Sequence, residues 1–166
     1  MGKKNEAPAS AKTNVCRVLD QKGLMYNEHT YNPEDGISGI EVANSLGQDP
    51  DKVFKTLVTV GASKKNYVFM VPVAKELNLK KAAKAAGEKS IEMIKSKELL
   101  PLTGYIHGGC SPIGMKKLFP TFIDETILLC DTFCFSGGKI GFQVEMTFED
   151  LNKVIPVQAV DIIDWN

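Results

Sequence analysis

Three short stretches carry the groups able to do chemistry on a ligand. The first is Val53-Phe54-Lys55-Thr56-Leu57-Val58, where a lysine interrupts an apolar, β-branched run. Burying a lysine cation is expensive. Lys55 therefore either points to solvent from a strand face or stands in a pocket wall with Leu57 and Thr59, which share its face. In a wall it would act as a fixed charge or as a group of lowered pKa. The second stretch is Gly104-Tyr105-Ile106-His107-Gly108-Gly109-Cys110-Ser111-Pro112-Ile113-Gly114. Consecutive glycines let backbone N–H groups close on an anion or oxyanion, or simply make a tight turn. The third runs from Phe135-Ser136-Gly137-Gly138-Lys139-Ile140 to Glu145. It reads as a hairpin turn or as a second glycine-rich lip bearing a hydroxyl and a cation.

A protein nucleophile fits poorly in these stretches. Around Ser111 the run is Gly109-x-Ser111-x-x-Gly114, not the Gly-x-Ser-x-Gly of a nucleophile elbow. The elbow takes an oxyanion N–H from the residue after the serine, and Pro112 has none. Cys110 lies near His107, but a nucleophile and its base are normally far apart in sequence. The four cysteines, Cys16, Cys110, Cys130 and Cys134, form no C-x-x-C pair, and the two histidines, His29 and His107, stand apart. The expectation is four reduced structural thiols and no metal.

The elements that position these stretches follow from periodicity and punctuation. Thr13 to Lys22 has helical spacing and Gly23 stops it. Leu24 to Tyr31 reads as a strand. Ser38-Gly39-Ile40-Glu41 is a capping-box pattern opening a short helix that ends near Gly47, and Asp49-Pro50 starts a single turn. Phe54–Val60 and Tyr67–Val73 form a hairpin, and Asn78 caps a helix over Leu79–Ala86. Short strands follow at Ser90–Met93, Tyr105–His107, Thr126–Cys130, Phe133–Ser136 and Ile140–Met146. Thr147-x-x-Asp150 caps a last helix before a strand over Val157–Ile163. Strands cluster in the centre and C-terminal half, so the pattern predicts an α+β (mixed α/β) domain with a curved, mixed or antiparallel sheet and short flanking helices.

The 166 residues suit one domain over 11–166 preceded by a solvated tail over 1–10. That tail lacks the apolar segment of a secretory signal, and no run approaches the roughly 20 apolar residues of a membrane span. A cytoplasmic protein with no membrane partner is expected. Twenty basic and twenty acidic residues cancel, and Arg17 is the single arginine. Long-range attraction for nucleic acid is therefore weak, DNA is not an expected partner, and any RNA contact must be small, lysine-based or assisted.

In this order and spacing the clusters resemble the YbaK/EbsC family of aminoacyl-tRNA deacylases. The matching stretches are His29-Thr30-Tyr31, Val53 to Leu57, Val71-Pro72-Val73-Ala74, Leu79 to Lys84, Thr103-Gly104-Tyr105, Gly108 to Gly114, Phe122-Ile123-Asp124 and Ser136 to Lys139. The resemblance spans roughly residues 12 to 164. It implies a barrel-like mixed sheet, related to the editing domain of bacterial prolyl-tRNA synthetases, and ester hydrolysis on mischarged tRNA without metal or organic cofactor. The family lysine falls on Lys55, and the pocket residues fall on Tyr31, Thr56, Gly108, Gly109, Ser111, Ser136, Gly137 and Gly138. The implied substrate is Cys-tRNA(Pro), gripped at its acceptor end, with Cys-tRNA(Cys) a second one and prolyl-tRNA synthetase a partner. In the YbaK-like branch the substrate's own thiol attacks its carbonyl. An Ala-tRNA(Pro) deacylase and a non-catalytic tRNA- or synthetase-binding module are the alternatives. Family members often carry Arg where Ile140 stands, and many YbaK-like members carry Asp where Gln143 stands.

Overall fold

The computed structural model describes residues 12–165, so the tail expected over 1–10 lies outside them. The chain opens with α1 (Asn14–Gln21), capped by the Thr13 hydroxyl, which accepts from the Cys16 N–H, and buries Val15, Cys16 and Leu19. Next come β1 (Asn27–Thr30) and α2 (Gly39–Ser45). Ser38 and Glu41 make the capping box in full, each side chain accepting the other's backbone N–H at 3.2 Å. Asp49 caps a 3₁₀ turn over Pro50–Lys52. Then β2 (Phe54–Gly61) and β3 (Asn66–Pro72) form the hairpin that the sequence predicts. The Asn78-capped helix α3 (Leu79–Ala86) ends on Gly87 at a φ of 73°, followed by β4 (Ile91–Met93) and α4 (Ser96–Thr103). The chain closes with β5 (Thr121–Asp124), β6 (Phe133–Ser136), β7 (Phe142–Met146), the Thr147-capped α5 (Phe148–Val154) and β8 (Val157–Val160).

The expected α+β class holds, but the sheet does not close into a barrel. The strands make a five-stranded sheet in the order β4-β2-β3-β5-β8 and a three-stranded sheet in the order β1-β7-β6. Between them lies the main core, where Phe54, Val58, Met70 and Ile123 of the larger sheet meet Phe133, Phe135, Val144 and Met146 of the smaller. Phe54 and Phe133 pack edge to face at 5.5 Å between ring centres. The other face of the larger sheet buries Phe69, Val71 and Phe122 under Ala82 and Ala83 of α3.

Closure fails at one edge. β3 occupies one side of β2 along its whole length, and β4 pairs with the other side only at Thr59–Gly61. Beyond Val58, whose carbonyl accepts from the Ile94 N–H, that edge is open until the isolated bridge between Val53 and Cys134. A three-residue β4 is too short to fill the gap.

Two expected strands are absent. Thr126–Cys130 lies in a 3₁₀ helix over Glu125–Leu129, because the Asp124 carboxylate accepts from the Thr126 N–H at 3.0 Å and turns the chain. Tyr105–His107 is loop, beginning where Gly104 ends α4 at a φ of 88°.

Candidate active site

The gap in the β2 edge opens into a cavity of about 540 Å³. β2 forms one wall from Val53 to Val58, and the start of α2 forms another with Ser38, Gly39 and Ile40. The β4–α4 connection, the loop His107–Cys110 and the facing ends of β6 and β7 complete it. Backbone groups alternate between the two edges of a strand. The Val53 carbonyl and the Gly61 N–H bond on the β3 side, while the Val58 carbonyl bonds towards β4. By that alternation the N–H and C=O of Thr56 face the open edge.

Five of the nine expected site residues line the cavity: Tyr31, Lys55, Thr56, Gly108 and Ser136. Lys55 is the charged group on the β2 wall. Its side chain is 27% exposed, with Nζ 3.6 Å from a carboxylate oxygen of Glu76, itself 81% exposed. So loose and wet a pair is worth little energetically and leaves the cation available. The Thr56 hydroxyl is buried without a hydrogen-bond partner, which is unusual for a buried polar group.

The other four sit behind this wall, and each has a packing reason for its type. A Cβ on Gly109 would lie 3.0 Å from the Ile140 N and 3.1 Å from Lys139 backbone atoms, so the two glycine loops touch backbone to backbone. A Cβ on Gly137 would meet the Phe142 ring at 2.3 Å. Gly138 has a φ of 103°. Ser111 is fully buried, its Oγ accepting from the Ile113 N–H. The N–H groups of Gly109, Gly137 and Gly138 are spent on the Ile106 carbonyl, the Phe142 carbonyl and the Ser136 hydroxyl. Among the described residues, Gly108 is the loop glycine that lines the cavity with its N–H uncommitted.

Cys110 also lines the cavity, but burial pushes its thiol up to about 12, so it is protonated and weakly nucleophilic at neutral pH. Periodicity gave no warning of Glu76, Met93, Lys95 and Gln143 in the lining. Half a signal for one of them was present: Glu98 stands three residues after Lys95, and its carboxylate accepts from the Lys95 N–H at 2.8 Å at the start of α4.

Residues 35–154 match the model of the aminoacyl-tRNA editing domain. This chain belongs to that family. Its activity is hydrolytic editing of mischarged aminoacyl-tRNA. EbsC of Enterococcus faecalis, whose name proposes Cys-tRNA(Pro)/Cys-tRNA(Cys) deacylation, is 43% identical over 152 residues, 91% of this chain and 93% of that one. A proline–tRNA ligase of Shouchella clausii is 29% identical over 102 residues, 61% of this chain but 18% of the ligase. A crystal structure of a proposed trans-editing enzyme for prolyl-tRNA synthetase superimposes with a TM-score of 0.82 at 24% identity, covering 96% of this chain and 99% of that one. That likeness extends the editing-domain fold to nearly the whole chain, beyond the matched 35–154. Among the described residues no helix is long and apolar enough to cross a membrane.

Proposed function

We propose that this editing domain removes cysteine from tRNA(Pro), acting in trans on the acceptor end of the charged tRNA, and that the substrate's own thiol is the nucleophile. The observation carrying this reading is a cavity with Lys55 on its wall at an open strand edge and, among the described residues, no activated protein nucleophile beside it. The relatives' names support the amino acid and the tRNA.

The chemistry balances without a cofactor. The cysteinyl thiol gives up its proton and its sulfur attacks the ester carbonyl. The carbonyl oxygen takes the charge of the tetrahedral intermediate, the bond to the ribose oxygen breaks, and that oxygen takes a proton. The products are free tRNA and a cysteine thiolactone, which water opens. Charge on the carbonyl oxygen is met by the Gly108 N–H and by the Thr56 peptide and hydroxyl, donors fixed before the reaction. Lys55 supplies the long-range positive charge, and Tyr31 and Ser136 border the bound ester. Gly109, Ser111, Gly137 and Gly138 shape the two lips that carry these groups. Prolyl-tRNA synthetase is the proposed partner that hands over the tRNA.

Lys55→Ala is expected to slow deacylation at least tenfold, about 1.4 kcal/mol of transition-state stabilisation, with an unchanged circular-dichroism spectrum. Near-wild-type turnover by the folded variant would remove Lys55 from the mechanism. Cys-tRNA(Pro) should far outrun Ser-tRNA(Pro) and Ala-tRNA(Pro) at one enzyme concentration, because a hydroxyl is much less acidic than a thiol and alanine has neither. Equal rates on all three would transfer the attack to water.

A further inference from the structure

A second cluster lies on the three-stranded sheet, on the face opposite the main core. Phe133, Phe135, Phe142, Val144 and Met146 point inward, so the alternating residues Cys134, Gln143 and Glu145 point outward. The register sets Cys134 opposite Glu145 across β6 and β7, and His29 opposite Gln143 across β1 and β7. His29 Nε2 is 2.7 Å from Oε1 of Glu145. The His29 nitrogen, the Cys134 sulfur and a Glu145 carboxylate oxygen all lie within 4.8 Å of one another.

The surroundings organise these three groups. The Thr132 hydroxyl donates to the second oxygen of Glu145 at 2.5 Å, holding the carboxylate in place. From the helix side, Gln48 Nε2 donates to Gln143 Oε1 at 2.7 Å and lies 3.6 Å from the Cys134 sulfur, while its own Oε1 is buried without a partner. An ion pair between His29 and Glu145 would not need the thiol beside it. A metal site would use all three groups, with Thr132 as the outer group that orients the Glu145 carboxylate.

We propose that His29, Cys134 and Glu145 bind a zinc ion that ties β1, β6 and β7 together, with a fourth position open to water. One sulfur, one imidazole nitrogen and one carboxylate oxygen suit zinc, whereas calcium and magnesium require oxygen sets. Tetrahedral zinc would hold the ligand atoms roughly 3.3–3.6 Å apart. The His29–Glu145 contact therefore opens slightly as the sulfur draws in. The Cys134 thiol and any proton shared between His29 and Glu145 give their protons to the solvent on binding. Positions 29, 134 and 145 match no zinc motif because one ligand comes from each of three strands.

Cobalt(II), a spectroscopic stand-in for zinc, tests this on reduced, chelator-treated full-length protein. The expected result is saturation at one ion per chain, with a strong near-ultraviolet thiolate-to-metal band that zinc abolishes and a melting temperature raised by zinc. Cys134→Ser should lose that band and the thermal shift, while Cys130→Ser and Cys16→Ser keep both. If Cys134→Ser does not fold, Glu145→Gln, nearly isosteric, should bind cobalt at least tenfold more weakly. No thiolate band in the wild type, a band that survives Cys134→Ser, or wild-type affinity in Glu145→Gln would overturn the site. None of these readouts depends on deacylation, so the result stands apart from the substrate assignment.

Discussion

The residues around the cavity are decided by small differences of environment. Cys110 and Lys55 both line it, yet burial holds the thiol neutral while the lysine reaches water. Cys110→Ala is therefore expected to keep substantial activity on Cys-tRNA(Pro), measured as kcat/KM; loss comparable to Lys55→Ala would make the thiol a participant. In the metal-free protein burial also pushes Cys134 up to about 12. An unfolded cysteine titrates near 8.5, so above that pH the folded chain holds protons that the unfolded chain has released. Stability then falls as pH rises from about 8.5 towards 12, by at most about 1.4 kcal/mol per pH unit for each thiol. Urea midpoints between pH 7 and 10.5 should show this decline, and Cys110→Ala should decline less steeply than the wild type. A wild-type midpoint flat across that range would mean that the thiols titrate as free cysteine.

At the scale of elements, what the sequence reveals depends on whether a signal is local. Caps are local, and Thr13, Ser38, Asp49, Asn78 and Thr147 each act as caps in the fold. The hairpin of β2 and β3 is nearly local and was also legible. β5 was not: its four residues are buried and pair in parallel with β3 and β8, partners distant in sequence. α4 was obscured by Pro101, which a helix interior normally rejects. Thr126–Cys130 looks like a strand until the two Asp124 oxygens are seen taking the N–H groups of Thr126 and Ile162. The glycine loops were visible as glycine loops, but not that Gly109 and Gly137 are there for close packing. Gly137 tests this reading, because its φ is not in the left-handed region and only contact forbids a side chain. Gly137→Ala is expected to destabilise by roughly 1–3 kcal/mol through collision with Phe142, measured by urea denaturation. A neutral substitution would return Gly137 to the role of a contact for the ligand.

For the molecule as a whole, the charge balance sets how tRNA is held. Twenty positive and twenty negative residues leave no excess to release counterions along a duplex. The cavity offers two lysines at its wall and mouth, Lys55 and the exposed Lys95, and Glu76 partly offsets the first. Binding through a single-stranded acceptor end costs about 0.7 of a unit of salt slope for each phosphate neutralised. Two such contacts give a slope near −1.4, so a plot of log kcat/KM against log salt, at substrate well below KM, should be no steeper than about −2. An enzyme that reads only this end should also hydrolyse a charged acceptor-stem minihelix within about threefold of the full tRNA. A slope near −5, or a minihelix rate lower by a hundredfold, would instead require a lysine track reaching past the acceptor end. Shallow slope and tolerated truncation together would mean that the enzyme recognises the aminoacyl ester itself, and that the choice of tRNA is made before the substrate arrives.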